Sequence, residues 1–98
     1  MVKLGLNTWL WACRFEEQHL YCIDKVAELG AEAIDFCVND PFGFPAKKAA
    51  DRVEKYDMDV IVPTAMPARC NAISPDPAQR EDALNYMKRL LDVAAEVG

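Results

Sequence analysis

Few side chains in this sequence have the chemistry of a reactive site. The four cysteines, Cys13, Cys22, Cys37 and Cys70, form no CxxC pair and no zinc-like spacing. They read as free thiols of a reducing compartment rather than a disulfide framework or a metal centre. The single histidine, His19, lies between Gln18 and Leu20 where the pattern is helical, and is expected to face solvent. Asp57 with Asp59, and Glu16 with Glu17, are the kind of carboxylate pairs that acid–base chemistry uses. They sit at the wrong ends of their elements and read as solvated charge. Asp35 differs: it ends an apolar strand, where an unpaired charge is costly. It is a candidate to bind a hydroxyl or to support a metal site, the plainer alternatives being a salt bridge or a loop cap. Trp9, Trp11 and Phe15 precede the first helical pattern. Aromatic faces suit apolar C–H surfaces and an indole N–H can bond a hydroxyl, unless the rings pack under the helix. Arg69, Cys70 and Asn71 lie on a long loop that can meet or cover a ligand. PFGFP has one glycine, so no glycine-rich phosphate loop is present.

The elements that must position these residues are legible from periodicity. Ser74 to Gly98 reads as a helix with both ends marked. Asp76 is the N-cap, Pro77 the first helical residue, and Gln79 the capping-box partner. Ala83, Leu84, Met87, Leu90, Leu91, Ala94 and Ala95 repeat at helical spacing and predict one apolar stripe. Gly98 suits the left-handed position past a helix end, and the chain stops there, where a fourth strand is expected. Upstream, Val2 to Thr8 reads as a strand. Glu16 to Leu29 reads as a helix with Leu20, Ile23, Val26, Ala27 and Leu29 inward, ended by Gly30. Ala33 to Val38 is a second strand and Asn39 to Pro45 a loop. Pro45 opens a second helix with Ala46, Ala49, Ala50, Val53 and Tyr56 inward. Asp59 to Thr64 is a β-branched third strand, and Pro67 to Pro75 is loop.

The order is therefore β-α-β-α-β-α, which implies parallel strands joined by right-handed crossovers in an α/β fold. Connections after strands are long and those before strands short. Sites in such folds lie at the carboxyl ends of the strands, so function is expected on Asn7–Phe15, Asn39–Phe44 and Pro63–Ser74.

Composition removes several classes. Ninety-eight residues suffice for one small domain. With 52% hydrophobic and 28% charged residues the chain reads as a soluble globular protein. No apolar run approaches the ~20 residues of a membrane span, and the residues before the first strand lack the apolar core and cleavage site that a secretory leader would show. A cytoplasmic location is the expectation. The net charge of −5 argues against nucleic acid, which usually selects a basic footprint.

KLGLNTWLW at the start, VAELGAEAIDF across the end of the first helix, and ISPDPAQREDALNYMKRLLDVAAEVG together resemble the sugar phosphate isomerase/epimerase family. Within it the sequence is most similar to the D-tagatose/D-psicose (ketose) 3-epimerases. The resemblance runs through the whole chain in register. It implies a xylose-isomerase-like (β/α)8 TIM barrel, of which these residues are the first three βα units, cut before the fourth strand; such barrels run to about 250 residues.

The resemblance also implies the chemistry. Family members hold a divalent metal, usually manganese, with two Glu, one Asp and one His from later strands, and two of those carboxylates carry the proton at C3 of the ketose. None of these positions falls within this sequence, so no metal ligand and no catalytic acid or base is expected in it, and the chain alone is expected to be inactive. What carries over is a substrate wall, with Asn7, Trp11 or Phe15, Asp35, and Pro63 to Met66 as the substrate-binding candidates. Asn7 stands where the resembling enzymes have a bulky aromatic, and Pro63 where they have a thiol or small residue, so the resemblance does not name the ketose. The partners expected are a small-molecule ketose and further copies of the intact enzyme, with the isolated chain prone to self-association; no nucleic acid or membrane is expected. The alternatives are an endonuclease-IV-like or other isomerase or dehydratase member of the same superfamily, or a non-catalytic α/β binding module. An endonuclease would want strand-end histidines and a basic rim.

Overall fold

Parallel strands cannot be joined by tight turns, so each must be led back through a crossover. The computed structural model, which describes residues 2–98, follows that rule. Strands β1 (Gly5–Asn7), β2 (Ala33–Asp35) and β3 (Asp59–Ile61) alternate with helices α1 (Tyr21–Glu28), α2 (Ala46–Tyr56) and α3 (Pro77–Val97). The sheet has the order β1-β2-β3 and is parallel throughout, with Asn7, Asp35 and Ile61 in one row. The strands are shorter than the apolar runs predict. β2 continues irregularly, with Phe36 N donating to Ile61 O (2.9 Å) and Val38 N to Pro63 O (3.2 Å).

Alternation sorts the sheet into two faces. Leu6, Ile34, Phe36, Val60 and Val62 face the helices and join Ile23, Val26, Ala49, Val53, Leu90, Val93 and Val97 in one core. Gly5, Asn7, Asp35 and Ile61 lie on the other face, where Ile61 is 56% exposed.

The helices depart from expectation in instructive ways. The segment expected to begin α1 at Glu16 is instead a 3₁₀ turn over Glu17–His19. His19, expected to face solvent, caps that turn: its Nδ1 accepts from Glu16 N at 3.0 Å. Glu17, read as solvated charge, meets Lys48 of α2. Gly30 has φ +84°, a left-handed conformation that glycine adopts without penalty, and so it ends α1 as expected. Leu29, expected inward, is exposed. Asp24 of α1 accepts from Arg52 Nη1 (2.7 Å) and from the Tyr56 hydroxyl (2.6 Å), joining α1 to α2. That hydrogen bond pushes the Tyr56 phenol up. The contribution of the Tyr56 hydrogen bond is therefore fully present below the pKa of a free tyrosine and is lost as pH rises through the raised value, while the Arg52 contact remains.

α3 keeps its predicted cap, with Ala78 N donating to Asp76 Oδ1 (3.0 Å). The second tie at this end comes from Arg80, whose Nη1 donates to Ser74 O (2.8 Å), rather than from Gln79. The buried stripe is Ala83, Tyr86, Leu90, Val93 and Val97. Leu84, Met87 and Leu91, placed inward by periodicity, are exposed. The two stripes share the helical period and differ only in phase, and packing against α2 and the sheet selects the phase. At Gly98 an added Cβ would lie 3.0 Å from Val60 Cβ, so this glycine permits close approach of the helix end to β3.

The phase assignment is testable. Leu90→Ala is expected to cost about 2–5 kcal/mol in chemical denaturation, whereas Leu91→Ala is expected to stay within about 0.5 kcal/mol. A cost at Leu91 comparable to that at Leu90 would show that the stripe reaching the core is the one predicted from spacing alone.

Candidate functional site

The carboxyl ends of the strands open a hollow of about 130 Å³ lined by Asn7, Trp9, Cys37, Asn39, Pro63, Thr64 and Ala65. Each βα connection contributes to it. Asn7 ends β1, its Oδ1 accepting from Trp9 N at 2.8 Å to cap the 3₁₀ turn Thr8–Leu10. That cap turns the Trp9 ring over the hollow's rim, where it is 56% exposed. Trp9 Nε1 donates to Cys13 O (2.9 Å), so the indole N–H expected for a ligand hydroxyl is committed to the backbone. The ring face is what remains for contact.

The Cys13 carbonyl gathers the site. Besides the Trp9 indole it accepts from Cys37 Sγ (2.9 Å) and from Asn39 Nδ2 (2.7 Å). Asn39 Oδ1 in turn accepts from Ala65 N (3.0 Å). Under this layer Thr8, fully buried, accepts from Cys37 N at 2.8 Å, which satisfies an amide that the ladder no longer pairs. Tyr86 reaches up from α3, its hydroxyl hydrogen-bonded with Thr64 Oγ1 (2.5 Å) and donating to Asn39 O (3.2 Å). Arg89 Nε donates to Pro41 O (3.1 Å) and holds the second loop from the same helix.

Of the residues expected at a ligand, Asn7 and Pro63 are brought together here. Phe15 is not. It is 2% exposed and packs edge-on against Phe36 (centroids 5.2 Å) and against Phe44 (5.4 Å), because the chain after the first loop dives back under α1. Trp11 packs against the core, and Met66 lies outside the hollow's lining. Asp35 occupies the row between Asn7 and Ile61 on the open sheet face, below the lining residues. Asn39 opens a stretch on which function is expected, without being singled out as a ligand contact. Cys37 lies outside the expected stretches, although alternation from Asp35 places it on the open face, and Tyr86 and Arg89 lie outside them because spacing gives the helical stripe a different phase. Cys70, grouped with the third loop, is buried with Ala83 and Tyr86.

The lining is neutral. Burial pushes the Cys37 thiol up, with the Cys13 thiol adding to the effect and the Trp9 and Asn39 contacts opposing it; burial likewise raises Cys22. Neither is a ready thiolate nucleophile at neutral pH. Among the described residues no group of three or more His, Cys, Asp or Glu is placed to hold a metal ion. Among the described residues no helix is long and apolar enough to cross a membrane.

Two outcomes check this geometry. Thr8→Val is expected to destabilise the fold by about 1–3 kcal/mol by stranding the Cys37 amide, while Thr8→Ser stays near wild type. Of the four thiols, exposed Cys13 is expected to react with iodoacetamide at once. Cys37, held as the protonated thiol well above neutral pH, should react only at the rate of unfolding, and rapid labelling in the folded state would contradict the buried assignment.

Residues 23–98 match the family model for xylose isomerase-like TIM barrels. The ketose 3-epimerase of Arthrobacter globiformis is 24% identical over 98 residues, covering 99% of this chain and 34% of that protein. Among solved structures, D-allulose 3-epimerase from Methylomonas sp. in complex with D-allulose superposes with a TM-score of 0.89 at 18% identity, over 99% of this chain and 34% of that one. L-ribulose 3-epimerase gives 0.85 at 18% identity, over 100% and 33%. The chain thus spans about a third of the length of the relatives it matches.

Proposed function

The chain belongs to the xylose isomerase-like TIM barrel family, and we propose that it forms the first three βα units of a sugar epimerase, with the hollow as one wall of a pocket for a free ketose. The observation that carries this reading is the character of the lining. One indole face, the Asn7 amide and the Thr64 hydroxyl suit an uncharged polyol, which presents C–H patches between hydroxyls. No lysine or arginine lines the hollow, so a sugar phosphate would meet no counter-charge on this wall. An abasic nucleic acid is disfavoured by the net charge of −5 and by the commitment of the one histidine to a cap.

In this reading the chain binds and orients. Asn7 has Oδ1 engaged with Trp9 N, leaving its NH₂ arm to donate to a ketose hydroxyl. Trp9 covers a C–H face of the sugar and keeps water from it. The reaction removes the proton at C3, which the neighbouring C2 carbonyl acidifies, and returns a proton to the opposite face. The lining holds no ionised acid for either transfer, so those groups belong to the parts of the barrel that the relatives have beyond the matched third. A divalent cation, manganese by resemblance, would polarise the carbonyl from there.

The test is to incubate the protein carrying this sequence with Mn²⁺ and D-allulose in D₂O. The expected product is the C3 epimer, with one solvent deuteron at C3 per turnover. Trp9→Ala is expected to raise KM about two- to tenfold, the ~0.5–1.5 kcal/mol of a lost aromatic contact. Turnover confined to phosphorylated sugars, or cleavage of abasic duplex DNA, would overturn the reading.

A further inference from the structure

We infer that Asn39 is the positioning residue that sets the width of the ketose pocket, holding the first and third βα loops to the end of β2 through a single carboxamide. The inference rests on reading the hollow as a ketose pocket. Its Nδ2 arm donates to Cys13 O and its Oδ1 arm accepts from Ala65 N, each partner 26 residues away in opposite directions along the chain. The bridge crosses from one loop wall to the other.

The requirement is specific because the partners cannot be exchanged. A backbone carbonyl only accepts and a backbone N–H only donates, so the bridge needs one donor arm and one acceptor arm on a short planar group. Aspartate offers acceptors only and sets a carboxylate against the Cys13 carbonyl. Leucine has the shape and neither arm, and glutamine carries both arms one methylene too far. The frame of Asn39 is itself anchored, since its carbonyl accepts from the Tyr86 hydroxyl (3.2 Å), which also bonds Thr64 (2.5 Å). Tyr86 is 1% exposed, so the bridge stands on a buried support.

Both walls that a sugar would touch move with this bridge. On one side the Cys13 carbonyl also receives the Trp9 indole (2.9 Å), so releasing it frees the ring. On the other, Ala65 and Thr64 line the hollow. Displacing a wall by about 1 Å misplaces the reacting carbon and can cost up to about a hundredfold in rate. The signature of positioning is therefore a fall in kcat as well as a rise in KM, unlike Trp9→Ala, which removes contact and acts mainly on KM.

The experiment compares Asn39→Asp and Asn39→Leu with the parent, each in the intact protein carrying this sequence, by ¹⁵N NMR and by steady-state kinetics with Mn²⁺ and D-allulose. Both variants are expected to shift the Trp9 indole N–H resonance and to lower kcat/KM by about ten- to a hundredfold. Only Asn39→Leu should also speed exchange of the Ala65 amide, because aspartate keeps an acceptor for it. Should Asn39→Leu fail to fold, the isosteric Asn39→Asp carries the test through the indole resonance and kcat. An unmoved indole and unchanged kcat/KM in the variants would mean that Asn39 only fills space, and would overturn the inference. If the parent turns over no free ketose, the epimerase reading falls. The indole and Ala65 readouts then still decide whether the bridge sets the spacing of the loops.

Discussion

Burial of one face of a parallel sheet beneath helices is the constraint on which the rest of this chain depends. A parallel strand cannot pair with its successor until the chain has crossed back, and the crossover helix must bury its apolar stripe on the sheet. Ile34 and Phe36 of the central strand, with Val26, Val53, Leu90 and Val93 from the three helices, form that shared layer. Once it forms, all three strands point the same way and their carboxyl ends lie side by side. The long connections then have one place to go, and the hollow lies where they converge.

Above the sheet the ladder gives out and individual polar groups replace it. A buried backbone amide without a partner is costly, and the loops meet this cost with a few side chains. Thr8 takes the buried Cys37 amide, and at the surface Asn39 takes the exposed Ala65 amide while the Tyr86 hydroxyl caps the Asn39 carbonyl. The Cys13 carbonyl, with three donors on it, is where the first and second loops join. The same groups that hold the loops also form the wall, so stability and site geometry are coupled here. A neutral lining follows from this: amides, a hydroxyl and a thiol held protonated by burial satisfy backbone partners without bringing charge into a half-buried space.

Much of the fold was legible. Asp76 and Pro77 mark the start of α3, Gly30 ends α1, and the order of elements with short returns before strands puts any site at the strand ends. The misses have definite causes. α3 carries two apolar stripes of the same period, and spacing alone does not say which one meets the core; Leu84 and Leu91 were chosen where Tyr86 and Val93 are buried. The resemblance makes Phe15 a pocket candidate because it is an aromatic of the loop after the first strand. Its burial follows from Phe36 and Phe44, residues distant in sequence that complete an aromatic cluster around it. His19 was read from its helical setting, whereas the turn around it is a 3₁₀ turn that its ring caps.

What the sequence by itself determined is therefore local and periodic: which segments are helix or strand, where α3 starts and α1 ends, that the strands are parallel, and at which end of the sheet a site lies. These follow from backbone conformational preference and from spacing, which act over a few residues. Only the tertiary structure decided which face of each helix is buried, that Trp9 rather than Phe15 borders the hollow, and that Asn39, Cys13 and Ala65 meet. Those outcomes depend on hydrogen bonds and contacts between residues more than twenty positions apart, and no pattern within one segment carries the identity of a partner in another.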